Sequence, residues 1–451
     1  MVINSNLTVN IEKNITKGYN IRDFYGFYYN FINKRCFSFI LGDNLVAEKK
    51  KKEKWIKPRH KWAFALVMSV MGPFTKWKYG VEVQKFKEQG DRPYLIMMNH
   101  QTGFDQFFVA MAFKGAIYFI STEDIFSLGW VSSIIKYLAA PISIKKQAGD
   151  VQAVMNCMRV AKEGGTICLS PEGNRTYSGR TVYISPAIAK LAKGLRLPIA
   201  IFKIEGGYGV QPRWSDVVRK GKMKAYVSRV IEPEEYKSLS NDEFYEMIVN
   251  ELHVDESSAS GTFHHKNTAE YMERAVYVCP YCGFSEFESH GDTVECKTCG
   301  RKIKYLPTKE MEGVGFEFPF KFMAQWNDYQ YDFVNKTDLS QYENVPVFCD
   351  TASLRQVFVN KFKKLLRESA EMKLYGNRVV LDEGKENEMV LSFDDITTVT
   401  VLGKNKLNIY YKNDVYQFKG SKRFNAVKYV NIYYRYCNIK KGDTNGKFLG
   451  L

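Results

Sequence analysis

Between residues 94 and 230 short apolar runs alternate with segments of helical period. The runs at 94–98, 116–120, 166–169 and 198–204 are continuous and apolar, the pattern of strands buried on both faces. Between them Val151, Val154, Met155 and Met158 recur at helical spacing, with Asp150 placed to cap the start and Gly164-Gly165 to end the helix. Ser185-Pro186 opens a further helix, with Ile188 and Leu191 on one face and Gly194 closing it. Buried strands alternating with helices predict an α/β domain whose central sheet is largely parallel or mixed, flanked by helices. Beyond about 355 the period falls to two, at 372–374, 407–409 and 415–418, with turn signals at Gly376-Asn377 and Asn413-Asp414. A terminal helix is expected from Asn425, with Val427, Val430 and Tyr434 in register. No internal repeat interrupts this order.

The first 80 residues follow neither pattern. Phe and Tyr crowd 24–40, and Lys49, Lys50, Lys51, Lys52, Lys54, Lys57, Arg59 and Lys61 follow. An apolar run at 62–74 is then closed by Lys76, Trp77 and Lys78. Trp and Lys at the ends of a short apolar run suit an interfacial or re-entrant helix; a core helix behind a solvated charged loop is the other reading. The run contains Gly72-Pro73 and falls short of the roughly 20 residues a bilayer requires. Residues 1–17 are polar, so no secretory signal is expected there. The expectation is a peripheral or re-entrant position at the cytoplasmic face of a membrane, without a full transmembrane span.

Composition adds a constraint and a cluster. A chain of 451 residues, 45% hydrophobic, supports a substantial core and two to four domains. Its net charge of +16 implies nucleic acid, an anionic membrane surface or acidic small molecules as partners, and does not choose among them. Cys36, Cys157, Cys168, Cys349 and Cys437 stand singly in apolar or aromatic surroundings, which suits a reducing compartment. The other four cysteines form two knuckles, Cys279-Pro280-Tyr281-Cys282-Gly283 and Cys296-Lys297-Thr298-Cys299-Gly300. This spacing resembles a zinc ribbon, in which Cys279, Cys282, Cys296 and Cys299 hold one structural Zn²⁺; two disulfides or a rubredoxin-like iron site are the alternatives. His290 lies between the knuckles but is not needed once four thiolates close the shell. Some ribbons bind nucleic acid. Here the positive charge gathers beside the apolar run rather than the ribbon, so a scaffolding or protein-docking role is expected instead.

The chemistry-bearing residues follow two of the buried strands. Asn99-His100-Gln101-Thr102-Gly103-Phe104-Asp105 comes directly after the run at 94–98. Asp105 can orient the His100 ring so that its other nitrogen takes a hydroxyl proton. By itself the spacing equally suits a helix-capping Asp beside a hydrogen-bonded His. The second segment, Ser170-Pro171-Glu172-Gly173-Asn174-Arg175, follows the run at 166–169. Glu172 and Arg175 are expected to project together, one to orient a hydroxyl and the other to hold a phosphate. A surface turn with a local ion pair is the plainer alternative.

Together these segments resemble the glycerolipid acyltransferase family, whose best-known members act on lysophosphatidic acid. The family's Asn-His-x4-Asp motif is matched by Asn99, His100 and Asp105. Its Pro-Glu-Gly-Thr-Arg-Ser motif is matched by Pro171, Glu172, Gly173 and Arg175, with Asn174 and Thr176 departing from it. Pro141-Ile142-Ser143-Ile144-Lys145-Lys146 is similar to the weaker second motif, with Lys146 where Arg is usual, and Pro198-Ile199-Ala200-Ile201 to the fourth. The resemblance spans roughly 62–250. It implies direct acyl transfer from acyl-CoA or acyl-carrier protein to 1-acylglycerol 3-phosphate in phospholipid biosynthesis, with His100 as general base and no catalytic metal. It further implies that Lys146 and Arg175 hold the phosphate, Lys145 being interchangeable with Lys146, while Glu172 and the Gly173 backbone shape the acceptor pocket. Another lysophospholipid, glycerol 3-phosphate, or a non-catalytic lipid-surface tether are the alternatives. The expected organisation is a membrane-interfacial segment at 1–80, an acyltransferase domain at 81–254, a linker at 255–272, the ribbon at 273–306 and a mainly β, pleckstrin-homology-like domain with a terminal helix at 307–451.

Overall fold

A computed structural model describes residues 54–122, 125–126, 130–144, 150–358, 361–443 and 446–448. The aromatic stretch at 24–40, the lysines at 49–52, Cys36 and both Lys145 and Lys146 lie outside the described residues. Among the described residues the first regular element is α1 (Pro58–Tyr79), which has proline at its start and Gly80 in the left-handed region at its end. It continues through Gly72-Pro73, so the apolar run forms the middle of a 22-residue helix. No helix among the described residues is long and apolar enough to cross a membrane.

There follow β1 (Val81–Val83), β2 (Leu95–Met98), α2 (Asp105–Ala112), β3 (Ile117–Thr122), α3 (Trp130–Ala139), β4 (Ile142–Ile144) and α4 (Val151–Lys162). Next come β5 (Thr166–Leu169), α5 (Ala187–Leu195), β6 (Ile199–Glu205), β7 (Met223–Ile231) and α6 (Asn241–Leu252). The sheet order is β1-β7-β6-β2-β5-β3-β4. Only the β6–β7 pair is antiparallel, which makes the sheet mixed, as expected. Every residue of β2 is buried because β5 and β6 flank it and helices cover both faces. Met97 pairs with Leu169, so the chain leaves β2 toward His100 beside the point where it leaves β5 toward Glu172. Parallel strands thus bring two sequence-distant turns together at one sheet edge, where α/β folds bind ligands.

The helix expected around Val151 forms, and the Asp150 carboxylate caps it by accepting the Ala153 N–H at 3.1 Å. Its orientation differs from that of an ordinary core helix. Ala153, Cys157 and Val160 face the sheet, whereas Val151, Val154, Met155 and Met158 are exposed. Gly194 lies within α5, which ends instead at Arg196 in the left-handed region.

Residues 255–272, expected as a linker, are held against the domain. Phe263, Thr268 and Ala269 are buried, and Lys220 and His264 exchange backbone hydrogen bonds. The cysteine knuckles sit on β8 (Val278–Cys279), β9 (Gly283–Phe284), β10 (Phe287–His290), β11 (Thr293–Cys296), β12 (Lys302–Tyr305) and β13 (Met311–Gly313). A helix that the sequence pattern did not suggest, α7 (Met323–Lys336), then packs Trp326 into the core.

The remaining chain forms β14 (Phe348–Phe358), β15 (Phe362–Leu374), β16 (Arg378–Leu381), β17 (Met389–Ser392), β18 (Ile396–Leu402), β19 (Lys406–Tyr411), β20 (Asp414–Gly420) and α8 (Val427–Lys440). These strands make an antiparallel sheet ordered β17-β16-β15-β14-β20-β19-β18, and α8 buries Val427 and Val430 where the sequence places them. One apolar core joins the ribbon, α7 and this sheet, and it includes Tyr177, Tyr208 and Trp214 of the preceding domain.

Candidate active site

Asn99 directly follows β2, with both ends of its side-chain amide engaged. It donates to the Ile204 carbonyl at 2.9 Å and accepts the Ile204 N–H at 2.8 Å, fixing the strand end to β6. His100 follows, and Asp105 is the first residue of α2. The Asp105 carboxylate is fully buried and lies 2.8 Å from His100 Nδ1. It also accepts the Gln101 N–H at 2.7 Å, the Thr102 N–H at 2.9 and 3.0 Å, and the Thr102 hydroxyl at 2.6 Å. The loop therefore wraps its own donors around one carboxylate, and the helix N-terminus favours the negative charge. A proton on Nδ1, facing the carboxylate, leaves Nε2 as the basic nitrogen. The ring is one-quarter exposed, and Nε2 has no partner among the described residues.

The second turn is tied to the first by Glu172. One carboxylate oxygen accepts the His100 N–H at 2.9 Å and the other the Val182 N–H at 3.0 Å. Burial pushes this carboxyl up to about 8, while the two N–H groups pull it down. Glu172 was expected to project toward an acceptor; the structure instead turns it inward, where both oxygens are engaged with backbone. Gly173 is exposed with φ +69°, and its N–H donates to the Ser170 carbonyl. Its positive φ suits glycine at this turn.

Arg175 is half-buried, and its guanidinium makes no hydrogen bond or ion pair among the described residues. Burial lowers its pKa, and the nearby Asp105 carboxylate raises it. A guanidinium left without a partner in this setting can receive an anion as a fork of donors. His100, Asp105, Glu172, Gly173 and Arg175 are thus gathered at one edge of the sheet.

Two neighbours carried no sequence signal. Tyr79 ends α1 with its ring 5.3 Å from Phe104, and its hydroxyl donates to Gln211 at 2.8 Å. Arg213 is 2% exposed and donates to the Arg175 carbonyl at 2.8 Å. Burial lowers its pKa to about 10. Nothing in a lone Pro-Arg-Trp loop marks that residue as part of a site.

Exposed apolar side chains lie near this edge. On α1, which contacts both α2 and α3, Trp62 is 67% and Trp77 80% exposed, and Leu66 and Val70 are exposed between them. Trp130, Ile134 and Tyr137 are exposed on α3, as is the outward stripe of α4.

The four cysteine sulfurs of the knuckles lie within 4.8 Å of one another, with Cys279 Sγ 3.9 Å from Cys299 Sγ. A tetrahedron with metal–sulfur bonds of about 2.3 Å sets its sulfurs about 3.8 Å apart, so this cluster can hold a metal ion. Gly283 and Gly300, each after a second cysteine, have φ +76° and +69°, which lets the backbone turn around the thiols. All four are free thiols rather than disulfides. Of the single cysteines, Cys157 and Cys168 are buried, whereas Cys349 is exposed rather than enclosed in apolar surroundings.

Residues 80–203 match the family model described as Acyltransferase. The chain is 22% identical over 159 residues to a chloroplastic 1-acyl-sn-glycerol-3-phosphate acyltransferase of Brassica napus, covering 34% of this chain and 45% of the relative. It is 21% identical over 170 residues to one of Arabidopsis thaliana, covering 37% and 47%. The chain thus spans just under half the length of the curated relatives it matches. Among solved structures, the 1-acyl-sn-glycerophosphate (LPA) acyltransferase of Thermotoga maritima aligns over 50% of this chain and 86% of its own, with 21% identity and a TM-score of 0.37.

Proposed function

We propose, from the premise that residues 80–203 form a domain of the acyltransferase family, that this chain transfers a fatty acyl group to 1-acylglycerol 3-phosphate and so makes phosphatidic acid. The observation that carries this reading is a histidine pinned through Nδ1 by Asp105 and, near the same carboxylate, a half-buried guanidinium, with neither Nε2 nor the guanidinium partnered among the described residues. A base and an anion holder at one sheet edge fit an acceptor bearing both a hydroxyl and a phosphate.

In this reading His100 Nε2 takes the hydroxyl proton as the oxygen attacks the thioester carbonyl of acyl-CoA or acyl-carrier protein. The C–S bond then breaks, and the leaving thiolate recovers the proton from the imidazolium. Asp105 stabilises the imidazolium that forms in between. Arg175 holds the phosphate, which turns binding energy into positioning of the hydroxyl. Glu172 keeps the two turns in register. Lys146 remains a second phosphate-binding candidate on the strength of the motif alone.

The acceptor resides in a bilayer, and the exposed apolar face of α1 with Lys61, Lys76 and Lys78 is suited to an anionic membrane surface. We assign one structural Zn²⁺ to Cys279, Cys282, Cys296 and Cys299. The seven-stranded sheet closed by α8 supports a pleckstrin-homology-like reading of the C-terminal part, following an acyltransferase domain at 81–254 and the ribbon at 273–306.

The test is a purified full-length chain given vesicles containing lysophosphatidic acid, other lysophospholipids or soluble glycerol 3-phosphate, each with acyl-CoA or acyl-carrier protein. Lysophosphatidic acid should be the preferred acceptor, and His100→Ala should abolish transfer. Undiminished transfer by a folded His100→Ala chain, or none by the unaltered chain, would overturn the proposal.

A further inference from the structure

The turn between β18 and β19, in the C-terminal sheet, reaches the same turn that carries Arg175. Arg213 joins them. Its Nε donates to the Gly403 carbonyl at 3.0 Å and its Nη2 to the Val401 carbonyl at 3.2 Å. On the other side Nη1 donates to the Arg175 carbonyl at 2.8 Å, and Nη2 reaches Asn174 Oδ1 at 3.5 Å. Its guanidinium also lies 4.4 Å from the centre of the Tyr177 ring, whose hydroxyl donates to the Lys404 carbonyl at 3.2 Å. Lys404 completes the contact from the opposite direction, with its ammonium 2.8 Å from Asp216. Asp216 in turn receives Arg274 at 2.9 and 3.1 Å.

Only a planar fork with donors on three nitrogens serves these divergent acceptors at once. Lysine offers one ammonium and would leave some of the carbonyls bare. The partners of Arg213 among the described residues are three backbone carbonyls and one side-chain amide oxygen rather than a carboxylate, so its bonds to Gly403, Val401 and Arg175 fix backbone positions on both sides. The backbone fixed on one side is that of Arg175 itself.

We infer that Arg213 is a positioning residue for the acceptor site, clamping the Arg175 turn to the β18–β19 turn so that the C-terminal β sheet forms part of the apparatus that holds the acceptor's phosphate. This rests on the reading of Arg175 as the phosphate-holding group. Loss of the clamp frees the carbonyl of Arg175 and, with it, the direction of its guanidinium. The acceptor should then bind less well while the thioester donor is little affected. It also follows that the β sheet is not an independent appendage to the acyltransferase domain.

The experiment uses the full chain, with lysophosphatidic acid in vesicles and acyl-CoA, and compares Arg213→Met, Arg213→Lys and Tyr177→Phe. Arg213→Met should raise the acceptor KM by about tenfold or more, with the donor KM changed by less than about twofold. Arg213→Lys should lie between it and the unaltered chain. Tyr177→Phe removes one hydroxyl from the contact and should shift the acceptor KM in the same direction by about threefold. Amide hydrogen exchange at 172–177 should quicken in Arg213→Met while exchange in β2 stays unchanged. If Arg213→Met fails to fold, the Tyr177→Phe and Arg213→Lys results decide the question. Unchanged acceptor KM in folded variants, with Arg175→Ala raising it, overturns this inference and leaves the proposed function standing. If Arg175→Ala leaves the acceptor KM unchanged, the underlying reading falls and takes the inference with it.

Discussion

Replacing Asp105 by Asn removes one negative charge and almost no volume, so it separates electrostatics from shape. The carboxylate accepts from His100 Nδ1, from two backbone N–H groups and from the Thr102 hydroxyl. An asparagine oxygen turned toward His100 and Gln101 preserves those contacts, and its NH₂ then faces Thr102. The Thr102 hydroxyl can rotate to accept. The cost to stability should therefore be that of weakening one or two charge-assisted bonds, about 1–3 kcal/mol. The effect on catalysis should be larger. A neutral amide no longer stabilises the imidazolium and no longer enforces the tautomer that leaves Nε2 basic. We expect kcat to fall about 10³–10⁴-fold, or about 4–5.5 kcal/mol in the barrier. The assay is thiol release from acyl-CoA at saturating lysophosphatidic acid, with the melting temperature measured in parallel. A folded Asp105→Asn chain retaining kcat within about threefold of the unaltered one would refute the reasoning. The histidine would then not work through that carboxylate.

Three further outcomes are expected. Cys279→Ser should lose the bound metal, measured as one zinc per unaltered chain by elemental analysis, and should become sensitive to proteolysis around the knuckles; a chain containing iron or no metal would contradict the assignment. Glu172 has a folded pKa raised to about 8 by burial, so the native state holds a proton that the unfolded chain loses above about 4.5. Stability should therefore decline between about pH 4.5 and 8. Glu172→Gln, neutral throughout, should gain on the unaltered chain across that window by on the order of 1–4 kcal/mol in chemical denaturation, and parallel pH curves would refute the buried-charge argument. Trp62→Glu with Trp77→Glu should weaken sedimentation with anionic vesicles more than high salt does, because apolar insertion is nearly indifferent to salt; unchanged binding would move the membrane contact away from α1.

What the sequence determined by itself was local. A buried strand followed by Asn-His-x4-Asp places His100 at a strand end and Asp105 at a helix start, and both positions need only neighbours in the chain. The same holds for the knuckles, where two Cys-x2-Cys turns bring paired sulfurs together before any tertiary contact is made. Continuous apolar runs identified β2, β3, β5 and β6, and alternation identified β15, β19 and β20.

Periodicity shows that a helix has an apolar stripe, not what will cover it. Only the tertiary structure turned Val151, Met155 and Met158 outward and set the smaller Ala153 and Cys157 against the sheet. Composition made 255–272 look like a linker, because Ser and Gly give no sign that Phe263 and Ala269 will find a core. Glu172 and Arg175 stand three residues apart in one motif, yet the fold separates their roles. Backbone donors at His100 and Val182 consume the carboxylate, while the guanidinium is left without a partner among the described residues. Arg213 was invisible for the same reason. Its acceptors at Val401 and Gly403 lie 188 and 190 residues away, and a hydrogen bond over such a separation exists only once two sheets have met.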